Sequence, residues 1–158
     1  MKLLVILLFL SISLFAADKM VIIGQISYLR GSALNNTQEI SLGDVIYEGD
    51  IIETAGNSVV KIQFTDESIL TVAPNSKIEV KIYDQNEKSL VNLLKGALRA
   101  TVDSQKTNKK TRKNSLIVKT PTAALGVRGT DFQIIYNPKN KVSNLLTFSG
   151  RVVFKKLT

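Results

Sequence analysis

Two clusters of carboxylates are the first residues of this sequence whose chemistry could support catalysis or metal binding. Asp66 and Glu67 are adjacent, and Asp44, Glu48 and Asp50 lie close together. Paired carboxylates can act as acid and base in glycoside hydrolysis, or bind a hard cation such as Ca²⁺. Both clusters fall on turn-like stretches, where solvated acids are ordinary. We therefore expect neither cluster to be catalytic or to hold a metal.

The residue types that are missing exclude most other chemistry. The chain of 158 residues contains no His, no Cys and no Trp. No Ser-His-Asp or Cys-His nucleophile can therefore be assembled, and zinc, haem and iron–sulfur sites lack their usual ligands. We expect a protein without cofactor or enzymatic activity, whose function is to bind something.

Positive charge is concentrated in the C-terminal third. Residues 104–158 hold 12 basic residues and one acid, Asp131, whereas residues 1–103 hold 9 basic and 12 acidic residues. The segment 104–114 has no apolar residue and is predicted to be an exposed loop. Its cations could contact an anionic partner or be a solvated connector; they are Lys106, Lys109, Lys110, Arg112 and Lys113. The loop has no interleaved aromatic residues for base stacking, so we do not expect nucleic acid as a partner.

The N-terminus predicts export. Lys2 is followed by an uncharged apolar run to Phe15, and then by Ala16 and Ala17. A short apolar run that ends in small residues is typical of a secretory signal peptide, here residues 1–17 with a helical apolar part. The alternative is an uncleaved anchor, but a spanning helix needs about 20 apolar residues. We expect a periplasmic or secreted mature chain, residues 18–158, with no transmembrane span.

Short strands dominate the rest of the sequence. Apolar and polar residues alternate around Val60–Phe64, Ile78–Ile82 and Phe132–Tyr136, and polar turn signals separate these runs. This period of two predicts half-buried strands. The mature chain is therefore expected to be one all-β domain of short antiparallel strands, arranged as a two-sheet sandwich or as a roll or β-solenoid. Gly96, in the middle of the apolar stretch 90–98, predicts a bend between strands.

The sharpest local pattern is residues 120–132. Thr120-Pro121 should end a strand, because proline cannot donate to a ladder. Gly126 and Gly129 bracket Arg128, so the backbone there can take positive φ or pack closely. We expect the chain to re-enter a strand at Phe132.

This pattern resembles the FecR-type domain. The matching residues are Thr120, Pro121, Gly126, Val127, Arg128, Gly129, Thr130 and Phe132. Segments 42–54, 57–68, 96–99 and 150–152 are also similar to parts of that domain. The resemblance implies an all-β periplasmic domain, best known as the outer half of a transmembrane regulator of a sigma factor. The cytoplasmic helical region and spanning helix of such regulators have no counterpart here, so we expect the domain without the rest of the circuit.

Two interpretations of residues 126–130 stay open. Arg128 could be half-buried and donate to turn carbonyls, with the Thr130 hydroxyl closing the turn; alternatively, these residues could contact a ligand directly. We favour the structural role. Two functions also stay open: a FecR-type binding or signalling module that docks on an envelope protein, and a structural envelope protein that binds anionic glycan or lipid through its basic half.

Overall fold

The computed structural model describes residues 20–82, 89–102 and 116–157, and these residues contain strands and turns but no helix. The strands, in chain order, are β1 (Ile22–Arg30), β2 (Ala33–Asn35), β3 (Gln38–Glu39), β4 (Val45–Tyr47), β5 (Ile51–Thr54), β6 (Val59–Phe64), β7 (Ile69–Val72), β8 (Lys77–Ile82), β9 (Ser89–Thr101), β10 (Leu116–Thr120), β11 (Ala123–Asn137) and β12 (Val142–Lys156). The predicted all-β class is confirmed.

Alternating side chains build the core, as the sequence period predicts. In β6, Val60, Ile62 and Phe64 are buried, whereas Lys61 and Gln63 point to solvent. The buried apolar residues of all the longer strands except β12 join in one cluster that extends from Ile23 in β1 to Tyr136 in β11. One continuous core therefore extends from β1 to β11.

All twelve strands belong to one hydrogen-bonded sheet. The main path runs β3-β2-β5-β8-β9-β7-β6-β1-β4, and β10, β11 and β12 branch from β9. The pairings are antiparallel except that of β10 with β9. The sheet curls like a half-barrel, and the expected two-sheet sandwich is not confirmed.

The predicted bend at Gly96 lies within a single long strand. Gly96 has φ +87°, and a Cβ there would collide with the buried Ser76. The buried positions of β9 change at this point from Val91 and Leu93 to Leu98 and Ala100. The bend thus lets one strand pair with β8 at its start and with β7 and β11 at its end.

Candidate functional site

The Thr120-Pro121 turn joins β10 to β11, and the Thr120 side chain closes it. The Thr120 Oγ1 accepts hydrogen bonds from the backbone N–H of Ala123 at 2.9 Å and of Thr122 at 3.2 Å. It also lies 2.7 Å from the Ser143 hydroxyl of β12. The expectation that β10 ends here is confirmed. The expectation that the next strand begins at Phe132 is wrong, because this tight turn lets β11 begin at Ala123.

The Gly-Val-Arg-Gly-Thr run forms a β-bulge inside β11. Arg128 pairs with Arg151 and Asp131 pairs with Ser149, so both Gly129 and Thr130 face the single residue Gly150. Gly129 has φ +59°, as the first residue of a glycine bulge requires.

The bulge changes which side chains of β11 face the core. Before it the buried residues are Leu125 and Val127, and after it they are Phe132 and Ile134. Because a strand's side chains alternate, one inserted residue reverses its two faces. Gly129 and Thr130 thus set, through the backbone, which side chains of β11 are buried on either side of the bulge.

The expected hydrogen bond of Thr130 is absent. Thr130 is buried, and its hydroxyl has no hydrogen-bond partner among the described residues. The bulge is instead held by the backbone: the Thr130 carbonyl accepts from the Val102 N–H at 2.8 Å.

The expectation of a half-buried Arg128 is also wrong. The side chain lies on the exposed face of β11, because it precedes the bulge and alternates with the buried Val127. It pairs across the sheet with Arg151, another exposed arginine. Like charges directly opposite each other on neighbouring strands repel and destabilise the pair. Arg128 therefore makes no buried contact with the core of the domain.

Within the described residues, Asp131, unlike Arg128, takes part in an ion pair, and its partner is Arg99. Its two carboxylate oxygens accept from Arg99 Nε at 2.8 Å and Arg99 Nη2 at 2.6 Å. The same guanidinium lies 4.5 Å from the centroid of the Phe148 ring. Hydrogen bonds from Arg99 hold the pKa of the Asp131 carboxyl below its usual value. The arrangement links β9, β11 and β12 at the bulge.

A hollow of about 440 Å³ lies on the same outer face as Arg128. Gly126 pairs with Ile117 of β10 on one side and with Val153 of β12 on the other. The missing side chain of Gly126 leaves a depression between these two apolar residues, and Arg128 and Arg151 line it at one end.

β12 is a long edge strand. It has 15 residues, and among the described strands it pairs only with β11. Large apolar side chains along it are exposed, with Val153 at 66% and Phe148 at 53%. Unpaired strand edges are templates for pairing with another chain.

Carboxylates of both acidic clusters accept hydrogen bonds from nearby backbone N–H groups and so stabilise turns. Asp50 Oδ2 accepts from the Asn35 side-chain amide at 2.8 Å and from the Tyr47 N–H at 2.9 Å, and Asp44 accepts from the Ser41 N–H at 2.7 Å. Asp66 likewise accepts from the Ser68 N–H at 2.9 Å. Within the described ranges, no group of three or more acidic side chains is arranged to hold a metal ion.

Two of the predicted segments cannot be placed. The basic segment 104–114, with Lys106, Lys109, Lys110, Arg112 and Lys113, and the signal segment 1–17 lie outside the described residues. In the part of the chain that is described, no helix is long and apolar enough to cross a membrane.

Comparison with known proteins agrees with the family resemblance of the motif. The model of the family described as FecR protein matches residues 50–153, which is more than half of the chain. The chain belongs to the FecR family. This membership supports a regulatory, signalling role, since FecR domains are regulatory and are not known as enzymes. No curated protein matches the chain.

One solved structure has a similar fold. It is a candidate anti-sigma factor from Parabacteroides distasonis, which matches with a TM-score of 0.54 at 14% sequence identity. The match covers 68% of this chain and 50% of that protein, so the present chain spans only half of its length.

Sequence reasoning missed two features of this face. The Arg99–Asp131 pair joins residues 32 positions apart; its signal was that Asp131 is the one acid after residue 103. Gly126 and Gly129 look equivalent in the sequence, although only Gly129 has positive φ. Nothing in the local sequence separates these two glycines.

Proposed function

We propose that this chain is an exported FecR-type regulatory module that acts by docking on a protein partner in the cell envelope and not by catalysis. The observation that carries this proposal is the exposed edge of β12. Its apolar side chains Val142, Leu146, Phe148, Val153 and Phe154 are all more than a third exposed. None of them belongs to the buried core cluster, although the Phe148 ring contacts the Arg99 guanidinium of β9.

The strands at the two ends of the main path are much shorter than β12. The main path ends at β3, which has two residues, and at β4, which has three. Very short edge strands are one way in which proteins prevent unwanted pairing. β12 is long and apolar, so the fold protects two of its edges and leaves this one suited to a partner.

Photo-cross-linking in cells tests the proposal directly. A photoreactive residue at Leu146, on the exposed edge strand, should give a discrete adduct with one protein. The matched control is Leu42, which is also exposed but lies in a turn before β4. An adduct of similar yield at both positions, or none at Leu146, would contradict docking through β12.

Export is the second part of the proposal, and it rests on residues 1–17. N-terminal sequencing of the protein from an envelope fraction should begin near Ala17 or Asp18. A membrane-bound product that retains Met1 would show that the segment is an anchor.

The alternative function, binding of anionic glycan or lipid, is favoured by charge. Between residues 116 and 157 the sequence has seven basic residues and one acid, and that acid is paired with Arg99. Attraction between surface charges decays over about 8 Å at physiological ionic strength, so such binding should be lost in high salt. An apolar protein contact through β12 should persist.

A further inference from the structure

Gly126 has no evident role in the fold. Each of the other four strand glycines in the described residues has one. Gly96, Gly129 and Gly150 have positive φ, and a Cβ on Gly24 would collide with the backbone of Gln63. Gly126 has neither feature: its φ is not positive, and no heavy atom lies within 4 Å of the place where its Cβ would be.

A glycine inside a regular strand weakens that strand. Such glycines often mark a bulge, a tight bend or a site where a ligand or another backbone approaches closely. Gly126 lies in unbroken register with Ile117 and with Val153, which excludes the first two. Close approach from outside is the remaining explanation.

The residues around Gly126 indicate the chemistry of a molecule that would bind there. Ile117 and Val153 form apolar walls on either side of the hollow, and Arg128 and Arg151 lie at its end. No acidic residue other than Asp131 occurs between residues 116 and 157, and Asp131 is bound to Arg99. Among the described residues, neither Arg128 nor Arg151 has an ion pair or a side-chain hydrogen bond, so both can bind carboxylates from another molecule.

The spacing of these groups matches an extended peptide. Arg128, Gly126 and Ala124 are alternate residues on one face of β11, separated by about 6.8 Å per pair of residues. Arg151 and Lys155 are the cross-strand partners of Arg128 and Ala124. A peptide in extended conformation repeats its own side chains at the same interval. At alternate positions of such a peptide, an acidic residue would meet the two arginines and an apolar residue would meet the hollow. A second acidic residue, two positions further on, would meet Lys155.

We propose that the outer face around Gly126 is the docking site for an extended acidic segment of a protein partner, with one apolar side chain seated above Gly126. This inference rests on the proposed function and names the site and the chemistry of its partner. Carboxylates form charge-assisted hydrogen bonds with Arg128 and Arg151, and the hollow selects the apolar residue between them. Binding at this site thus requires both acidic and apolar side chains in the partner segment.

Titration of the ¹⁵N-labelled protein with the peptide SESFSES tests this site by NMR. The amide signals of Gly126, Arg128, Arg151 and Val153 should shift with the peptide, and more weakly with SESSSES, which lacks the phenylalanine. Gly126→Val fills the hollow without strain and should weaken binding at least about tenfold while leaving the melting temperature unchanged or higher. The double variant Arg128→Gln/Arg151→Gln should weaken binding to a similar extent.

The matched control variant removes two positive charges at a different place on the surface. Lys139→Gln/Lys141→Gln changes two exposed cations in the β11–β12 turn and should alter affinity by less than about threefold. Equal losses in both double variants would show attraction by net charge alone and would overturn the site. Unaltered binding by Gly126→Val would overturn it as well.

Vesicles that contain phosphatidylglycerol test whether this face binds a lipid surface instead of an acidic peptide. Binding to these vesicles that needs Arg128 and Arg151, with no binding to SESFSES, would assign the face to a lipid surface and overturn the peptide proposal. The cross-link at Leu146 separates this inference from the proposed function. A protein adduct there that is unaffected by Gly126→Val and by Arg128→Gln/Arg151→Gln refutes the inference alone, whereas no adduct refutes the proposed function.

Discussion

At the scale of single residues, the motif residue Arg128 is exposed, and we expect that the domain folds without its side chain. Its side chain faces solvent and its cross-strand partner is Arg151. Arg128→Ala should change the free energy of unfolding by no more than about 0.5 kcal/mol, because it removes no buried contact. Urea denaturation measures this change, and Phe132→Ala is the control on the same strand. Phe132 is fully buried, so its loss should cost about 3–5 kcal/mol. A large destabilisation by Arg128→Ala would restore the structural role predicted from sequence.

Asp131 is the residue whose charge should matter for stability. Its pKa is lowered from 3.8, first by hydrogen bonds from Arg99, so the folded state favours the ionised form. A carboxyl with a depressed folded pKa stabilises above its unfolded pKa, and this stabilisation is lost as the pH falls through the folded pKa. Asp131→Asn should therefore be less stable than the native protein at pH 7, and the two should converge below the folded pKa of Asp131.

Urea midpoints at pH 7 and at acid pH measure this convergence. Glu39→Gln removes the same charge from an exposed position and serves as the control; its difference from the native protein should stay small throughout. A gap for Asp131→Asn that is independent of pH would mean that the ion pair does not contribute.

At the scale of strands, the β11–β12 bulge depends on Gly150. This residue has φ +83°, and an added Cβ would collide with the Gly129 carbonyl oxygen and with Thr130. Gly150→Ala should therefore destabilise the domain by about 1–3 kcal/mol, the usual cost of such backbone strain. Gly126→Ala, in the same hairpin but with ordinary φ and open space, is the matched control and should be neutral or stabilising. Equal urea midpoints for the two variants would be inconsistent with the bulge.

Sequence patterns predicted the strands with strong alternation and missed the changes of register between them. Val60–Phe64 and Phe132–Tyr136 alternate with period two, and both are strands with the expected buried faces. Residues 123–131 alternate only over Leu125 to Arg128, because Ala123 and Ala124 are both small and apolar and the bulge interrupts the period after Arg128. The strand character of that segment comes from pairing with β10 and β12, which are contacts that local sequence does not encode.

The same limit explains the errors at the candidate site. Whether Arg128 faces the core or solvent depends on which side of the bulge it lies, and moving the bulge by one residue would reverse the answer. The Arg99–Asp131 pair and the hollow at Gly126 each need three strands to be brought together. Residue types could identify the motif, but only the register of β9 to β12 assigns a role to each of its residues.

At the scale of the whole molecule, the folding unit is larger than the segment that matches the family. The match begins at residue 50, yet β1 lies between β6 and β4 in the sheet. Four isoleucines before residue 50 are buried in the common core: Ile23, Ile26, Ile40 and Ile46. Each fully buried isoleucine contributes about 1.5–3 kcal/mol, so their loss would remove about 6–12 kcal/mol.

A chain that starts at residue 50 should therefore fail to fold, because a small domain is stable by only about 5–15 kcal/mol. Removal of β1 would also expose one edge of β6 and its buried side chains, Val60 and Ile62, which favours aggregation. Circular dichroism and size-exclusion chromatography should show an unfolded or aggregated product for residues 50–158. Residues 18–158 should instead melt in a single cooperative transition, since one core joins β1 to β11. A soluble, cooperatively melting 50–158 product would mean that β1 to β4 only decorate an independent domain, and that the core contacts of the four isoleucines contribute little to its stability.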